Sequence, residues 1–446
     1  MSAEHSSREA AREAHQEAGP NRIIRGGRVV DPSQDLDATL DVLIEDGRVA
    51  RLAEHIEGGD GIAETEASGL VVTPGLIDMH VHLREPGEEY KETVETGLRS
   101  AAAGGFTAVA CMANTQPVND HRAVTELIMT QGKRHPYARV YPIGAITKGL
   151  AGKELAEVGD MVDAGVVAIS DDGLPVMNAG LMRRALLYAQ HYGVPLIQHA
   201  EDLDVTGDGV MNEGEWSTRL GLPGIPGVAE DVMIARDLVL ADDTAGRYHV
   251  AHIATARSVA MVREAKGRGV PVTCEVTPHH LLLTDEAVAK SGFSTSYKMK
   301  PPLRSQSEVD ALIEGLCDGT IDAIASDHAP HHPDSKDVQF STAAFGILGL
   351  ETTVSLCLDR LVGGGILELP KLVQLLSTGP ASVLGVEGGS LAPGSVADVT
   401  LLDLEREVTV RVDSFSSKSR NTPFDGWRLR GAAVGTLLGG KPISVG

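Results

Sequence analysis

The sequence predicts an α/β protein: a metal-dependent (β/α)8 TIM barrel with a small β-sandwich domain formed by both termini. Three observations predict it. Through the middle of the chain, eight short apolar runs alternate with amphipathic stretches, a pattern of parallel strands joined by helical crossovers. Both ends carry apolar alternations broken by turn residues, and each end is too small to bury a core alone. Residues able to bind metal or move protons fall at the carboxyl ends of the middle runs, where a barrel keeps its active site.

Composition supports this and narrows function. The chain has 446 residues, 42% of them hydrophobic, enough for a sizeable core. Lys plus Arg is 39 against 62 Asp plus Glu, a net charge of −23. That balance argues against a nucleic-acid partner, which needs a basic face. It leaves a small anionic substrate open, because the charge inside a pocket decides that. No run reaches the roughly 20 apolar residues that span a bilayer, so no membrane role is expected. The first twenty residues lack a hydrophobic signal core and read as a polar tail. Cys111, Cys274, Cys317 and Cys357 are far apart and form no CxxC, as in a reduced, cytoplasmic protein.

The elements follow in order. In zone 21–72, Ile23-Ile24, Arg28-Val29-Val30, Asp41-Val42-Leu43-Ile44 and Arg48-Val49-Ala50-Arg51-Leu52 read as short strands, with Asp46-Gly47 a hairpin turn. Zone 73–386 is the catalytic barrel, with strands expected at 76–82, 106–112, 138–144, 165–170, 194–199, 247–253, 270–276 and 320–326. Helices are expected at 90–103, 120–133, 179–191, 229–242, 255–266 and 306–317. Zone 387–446 returns to strands, at Asp398-Val399-Thr400-Leu401-Leu402 and Gly435-Thr436-Leu437-Leu438, and completes the β domain begun by 21–72.

The strand ends carry the chemistry. His80 and His82, two apart on the first barrel strand, face the same way and can grip one ion. A lone HxH is a weak signal. His199, His252, Asp172 and Asp327, each at its own strand end, make it a strong one. Imidazole and carboxylate donors without thiolate suit Zn²⁺, with Mn²⁺ and Co²⁺ also compatible. Six candidates exceed what one tetrahedral ion with an open position needs. They suffice for two ions about 3.5–4 Å apart sharing a hydroxide.

The segment Pro74-Gly75-Leu76-Ile77-Asp78-Met79-His80-Val81-His82-Leu83-Arg84-Glu85-Pro86-Gly87 resembles the opening signature of the amidohydrolase superfamily and, more narrowly, of type I dihydroorotases. The resemblance continues through Ser170-Asp171-Asp172-Gly173, Gln198-His199-Ala200-Glu201-Asp202, Glu275-Val276-Thr277-Pro278-His279-His280-Leu281, Ser326-Asp327-His328-Ala329-Pro330-His331 and Phe345-Gly346-Ile347-Leu348-Gly349-Leu350-Glu351-Thr352. It extends to Ser417-Lys418-Ser419-Arg420-Asn421-Thr422-Pro423-Phe424 and so spans nearly the whole chain from residue 22.

That resemblance implies reversible cyclisation of N-carbamoyl-L-aspartate to L-dihydroorotate, a step of pyrimidine synthesis, with two Zn²⁺ per subunit. It implies His80, His82 and Asp327 on one ion and His199 and His252 on the other. Many superfamily members bridge the pair with a carboxylated Lys, but residues 165–172 contain no Lys. Asp then serves as the bridge, and Asp172 is preferred over Asp171 because it aligns with the family's second Asp before Gly. Asp327 would move the proton between the attacking hydroxide and the ring nitrogen. Arg84 would clamp the substrate carboxylate, joined by Asn114 and His331, with Phe345 and Gly346 against the ring. Lys300 stands where the family usually has Asn before Pro-Pro-Leu-Arg; either Lys300 contacts a substrate carbonyl in its place or the backbone does so. His279 and His280 are expected to be structural, and residues 328–346 to form a mobile loop over the site.

The resemblance also carries an expected homo-oligomer and an association with aspartate carbamoyltransferase. Hydantoinase and allantoinase remain rival activities, disfavoured by the missing Lys. A non-catalytic partner of the carbamoyltransferase is disfavoured by the full ligand set. Residues 202–213 fit a calcium-loop spacing, but position five is Thr and a strand precedes it, so no calcium site is expected there.

Overall fold

The structure is a computed structural model, and it describes residues 21–445. The expected polar tail, 1–20, lies outside the described residues. Two eight-stranded sheets and a two-stranded pair organise the chain.

The N-terminal part supplies strands β1 (Arg22–Asp31), β2 (Leu36–Glu45), β3 (Arg48–Ala53), β4 (Ala63–Glu66) and β5 (Val71–Pro74). The barrel follows with β6 (Leu76–Val81), β7 (Phe106–Cys111), β8 (Arg139–Gly144), β9 (Ala168–Ser170) and β10 (Leu196–Gln198). The short pair β11 (Met211–Asn212) and β12 (Gly224–Ile225) stands apart, and β13 (Tyr248–Val250), β14 (Val272–Val276) and β15 (Ala323–Ile324) complete the barrel. The chain ends with β16 (Val399–Thr409), β17 (Arg428–Leu438) and β18 (Lys441–Pro442).

Barrel strands pair in parallel and in chain order, β6 to β10 and then β13 to β15. A parallel bridge from Val81 to His328 joins the last strand's exit to the first, with His82 N donating to His328 O at 2.8 Å. All eight strand positions coincide with the expected runs. Parallel strands covered on both faces must be apolar throughout, so such runs are legible. Inside the barrel the side chains are apolar and mostly small or unbranched, with Ile143 and Ile197 the exceptions beside Met79, Ala110, Met112, Ala168, Ala251, Ala323 and Ala325. Ala381, on the helix Gly379–Leu384, packs with Ile77 and Ala108 near the strand starts. The site therefore opens at the other end.

The outer helices also lie where the amphipathic pattern placed them. Val94–Ala103 is started by a capping box between Thr93 and Thr96. Ala179–Tyr192 is capped by Asn178, and Ala256–Gly267 by Thr255. Gln306–Cys317 matches its expected bounds.

The termini meet in one sheet of order β18-β17-β16-β5-β1-β2-β3, with β4 beside β1. The two short strands expected at 23–24 and 28–30 are one strand, β1, broken by a bulge between Ile24 and Gly27. Gly26 turns there at φ +62, a conformation that glycine adopts without Cβ strain. The hairpin at Asp46-Gly47 stands as expected, with β2 and β3 antiparallel. Strand β5 joins the two halves, parallel to β1 and antiparallel to β16.

Sheet passes to barrel at Gly75, where an added Cβ would sit 2.1 Å from Thr107 Oγ1. The two bodies are tied by Arg139 at the start of β8, whose Nε donates to Asp398 Oδ2 at 2.6 Å and whose Nη2 donates to Oδ1 at 3.0 Å. Both side chains are largely buried, at 12% and 6% exposure. Removing one partner of a buried charge pair is destabilising. Asp398→Ala should lower unfolding stability by about 3 kcal/mol, read by denaturant unfolding. A change within error would show that the pair does not hold the sheet to the barrel.

Candidate metal centre and active site

Four imidazoles and two carboxylates meet at the carboxyl ends of the strands, and Asp172 lies between them. Its Oδ2 is 3.4 Å from His80 Nε2 and 3.6 Å from His82 Nε2. Its Oδ1 is 3.4 Å from His199 Nδ1 and 3.3 Å from His252 Nε2. Asp327 Oδ1 adds to the first group, 3.1 Å from His82 Nε2 and 3.5 Å from His80 Nε2. Ligands at about 2.0–2.2 Å around a tetrahedral ion are separated by about 3.3–3.6 Å, so these spacings fit a cation. His80 Nε2 is buried without a hydrogen-bond partner, as a lone pair waiting for an ion would be. His80, His82 and Asp172 form one group able to hold a metal, and Asp172, His199 and His252 a second.

The alternative bridge, Asp171, is engaged elsewhere. It accepts from Ile146 N at 2.8 Å, Thr147 N at 2.9 Å and the Thr147 hydroxyl. The geometry places Asp172 in the centre and Asp171 in the scaffold.

A layer of partners, mostly unforeseen from sequence, orients the imidazoles. His80 Nδ1 donates to Glu275 Oε1 at 2.5 Å, which turns Nε2 toward the centre. Glu275 also lies 3.3 Å from His249 Nε2. Burial pushes its carboxyl up, but His80 and His249 outweigh this and hold it at about 2. His82 Nδ1 donates to Asn114 Oδ1 at 2.9 Å, so Asn114 orients a metal-facing ring as well as lining the cavity. His199 Nε2 donates to Glu201 Oε2 at 3.2 Å. Burial opposes a charge on His199, yet Asp172 and Glu201 raise it to about 9. A cation between these rings would replace that proton. Asp78 accepts from Ser326 N at 3.1 Å, tying β6 to the segment after β15 and thereby the HxH pair to Asp327.

The centre forms the floor of a cavity of about 370 Å³. All six expected substrate residues line it: Arg84, Asn114, Lys300, His331, Phe345 and Gly346. Arg84 is 8% exposed, with Nε donating to Pro330 O at 3.1 Å. Lys300 Nζ pairs with Glu201 Oε2 at 2.9 Å, so its ammonium is held over the carboxylate that supports His199. His331 Nε2 donates to Phe345 O at 2.7 Å. Burial, then Arg84 and Lys336, hold His331 down at about 2, so it is neutral.

Two further expectations concern the surroundings. His280 is structural: Nδ1 meets the Thr277 hydroxyl at 2.7 Å and Nε2 donates to Pro301 O at 2.9 Å. Residues 328–346, expected as a loop over the site, line the cavity at Ala329, His331, Phe345 and Gly346 and are held at both ends. Asn421 Nδ2 donates to Ala329 O at 2.9 Å and Gly346 O at 3.1 Å, and the segment carries a short helix, Pro333–Lys336. Asp202 caps the helix Leu203–Thr206 by accepting from Asp204 N and Val205 N. No helix among the described residues is long and apolar enough to cross a membrane.

Comparison with known proteins agrees with the geometry. The dihydro-orotase-like family matches residues 69–258. Proteins named Dihydroorotase from Citrifermentans bemidjiense and Geobacter metallireducens are 55% and 53% identical over 423 residues, covering 95% of this chain and 99% of each relative. One from Anaeromyxobacter dehalogenans is 56% identical over 421 residues, covering 94% of this chain and 97% of its own length. Among solved structures, L-hydantoinase (dihydropyrimidinase) from Arthrobacter aurescens is similar at a TM-score of 0.84 and 26% identity, covering 96% of both chains. A D-hydantoinase shares the fold at a TM-score of 0.83 and 23% identity, covering 95% of each chain.

Glu275 yields a test. Glu275→Gln should keep the fold, read by circular dichroism, and weaken retention of divalent metal by about 10–100-fold, read as metal content after dialysis against graded chelator. Undiminished retention would remove Glu275 from the support of His80.

Proposed function

This chain belongs to the dihydroorotase family, and on that footing we propose that it is a type I dihydroorotase of the amidohydrolase superfamily with two zinc ions per subunit. It interconverts N-carbamoyl-L-aspartate and L-dihydroorotate in de novo pyrimidine synthesis. The observation that carries this reading is Asp172, whose two oxygens each face a separate pair of imidazoles in a cavity also lined by the Arg84 cation.

His80, His82, Asp327 and Asp172 would hold one ion, and His199, His252 and Asp172 the other. Such ions, when bound, lower the pKa of water and polarise a carbonyl. The protein's own residues do the rest. Asp327 lines the cavity. Burial raises its carboxyl, but His82 and His80 draw it well below the usual range. It is therefore ionised at neutral pH. In ring opening it takes a proton from the attacking water as the C–O bond forms and gives it to the ring nitrogen as the C–N bond breaks. In ring closure it moves the proton the other way. Arg84 meets the substrate carboxylate, and the Asn114 amide reinforces it. Lys300 contributes positive charge on the Glu201 side of the cavity, and Phe345 and Gly346 bound the ring.

Hydantoinase and allantoinase activities are disfavoured because residues 165–172 offer no Lys to bridge two ions. The same proposal divides the chain into a β domain of residues 21–72 and 387–446 and a catalytic barrel of 73–386; strand β5 pairs with the terminal sheet, while β6 enters the barrel. It also includes a homo-oligomer in the cytoplasm and aspartate carbamoyltransferase as a partner.

The direct test is an ultraviolet assay on dihydroorotate, hydantoin and allantoin with metal analysis of the same sample. Dihydroorotate should be preferred and zinc found; preference for either rival substrate overturns the assignment. Asp327→Asn should lower kcat by about 10²–10⁴-fold in a folded protein, whereas near-normal turnover would refute its proton transfer. Arg84→Ala should raise KM by about 10–100-fold, and an unaltered KM would discard the carboxylate clamp.

A further inference from the structure

One side chain ties together the cavity wall that carries Phe345 and Gly346. Lys336 is 8% exposed. Its ammonium donates to Ala344 O at 2.8 Å, Gly346 O at 2.9 Å and Lys298 O at 3.3 Å. An ammonium has three protons and no acceptor, so these carbonyls use its whole capacity. Ala344 and Gly346 flank Phe345 on either side. Lys298 O also accepts from Gly346 N at 2.9 Å, so both segments of the wall are joined at this point. A buried charge without a counter-ion is costly, and packing alone would be served by an apolar side chain.

We propose that Lys336 is a positioning residue for the substrate: its ammonium sets the Phe345-Gly346 wall of the cavity and acts through that wall without touching the reacting atoms. The inference rests on the dihydroorotase reading for the identity of the substrate. The titratable neighbours that face Lys336 are Lys298, on the segment before it, and His331, at the start of the loop. Burial first, and Lys298 second, push Lys336 down to about 7. A neutral amine keeps only two protons to donate. As pH rises through that value, one carbonyl loses its donor and the wall loosens, so KM should climb on the alkaline side.

The experiment compares the unaltered protein with Lys336→Met. The variant should raise KM for dihydroorotate about tenfold, with kcat within about twofold, metal content unchanged, and the alkaline climb in KM abolished. An unchanged KM, or a persisting climb, overturns the proposal. If Lys336→Met does not fold, hydrogen exchange of residues 343–347 in the unaltered protein decides. Protection confined to that segment should fall between about pH 6 and about pH 8.5 after correction for intrinsic rates; constant protection there overturns it. Exchange needs no substrate. A protein that ignores dihydroorotate but loosens this segment with pH would therefore refute the substrate assignment and leave the role of Lys336 in the wall intact.

Discussion

The structure turns on one electrostatic constraint: six groups that bind protons or cations must be held together, out of water, around the carboxylate of Asp172. Left to themselves, four imidazoles in a dry cavity lose their charge and two carboxylates gain protons. Here the neighbours hold His80, His199, Asp172 and Asp327 the other way, while at His82 burial prevails and lowers the imidazole. Burial opposes a charge on His80, but Asp172 and Glu275 outweigh it and hold it well above its ordinary range. The Asp172 carboxyl is drawn well below its own, despite burial, by His80, His199 and His252. The cluster is thus a set of mutual obligations, and its donor atoms are grouped as a divalent cation would need them. The outer partners Glu275, Asn114 and Glu201 follow from the same need, because each fixes which ring nitrogen faces inward.

The backbone bends to meet that constraint. Arg84, His252 and Asp327 have φ of +61°, +32° and +46°, a region that residues with a Cβ seldom occupy. All three stand just beyond barrel strands. A regular strand would alternate its side chains across the sheet; these turns redirect them into the cavity. Such strain persists only where the surroundings over-determine it. The bridge from Val81 to His328 and the bonds from Ser326 N and His80 N to Asp78 supply that determination.

How legible this was depends on how far each feature reaches along the chain. The barrel strands were plain because both faces are buried, and the ligands because each stands at the end of such a run. The first terminal strand looks like two in the sequence because Gly26-Gly27 resembles a break, whereas it is a bulge that pairing across the sheet tolerates. β4 and β5 escaped because four residues carry too little periodicity. Glu275 shows in the sequence only as part of a motif, since nothing local says that a Glu within an apolar run reaches His80 from two strands away around the barrel. Lys336 lies in Pro333-Asp334-Ser335-Lys336-Asp337, which looks like any solvated turn; its three carbonyl partners come from distant backbone. Lys300 was expected to reach the substrate, and its pairing with Glu201 had no sequence signal.

The position of β5 has a consequence for synthesis. Its free edge is completed by β16, which the ribosome makes only after the whole barrel has emerged. Until Val399 and the strands beyond it are available, the N-terminal strands present an unpaired hydrogen-bonding edge, the kind of surface on which nascent chains stick to one another. Final closure of that sheet is therefore a late event in the life of each newly made chain, and a polypeptide cut short before β16 would carry a finished set of metal-facing side chains on an unfinished body.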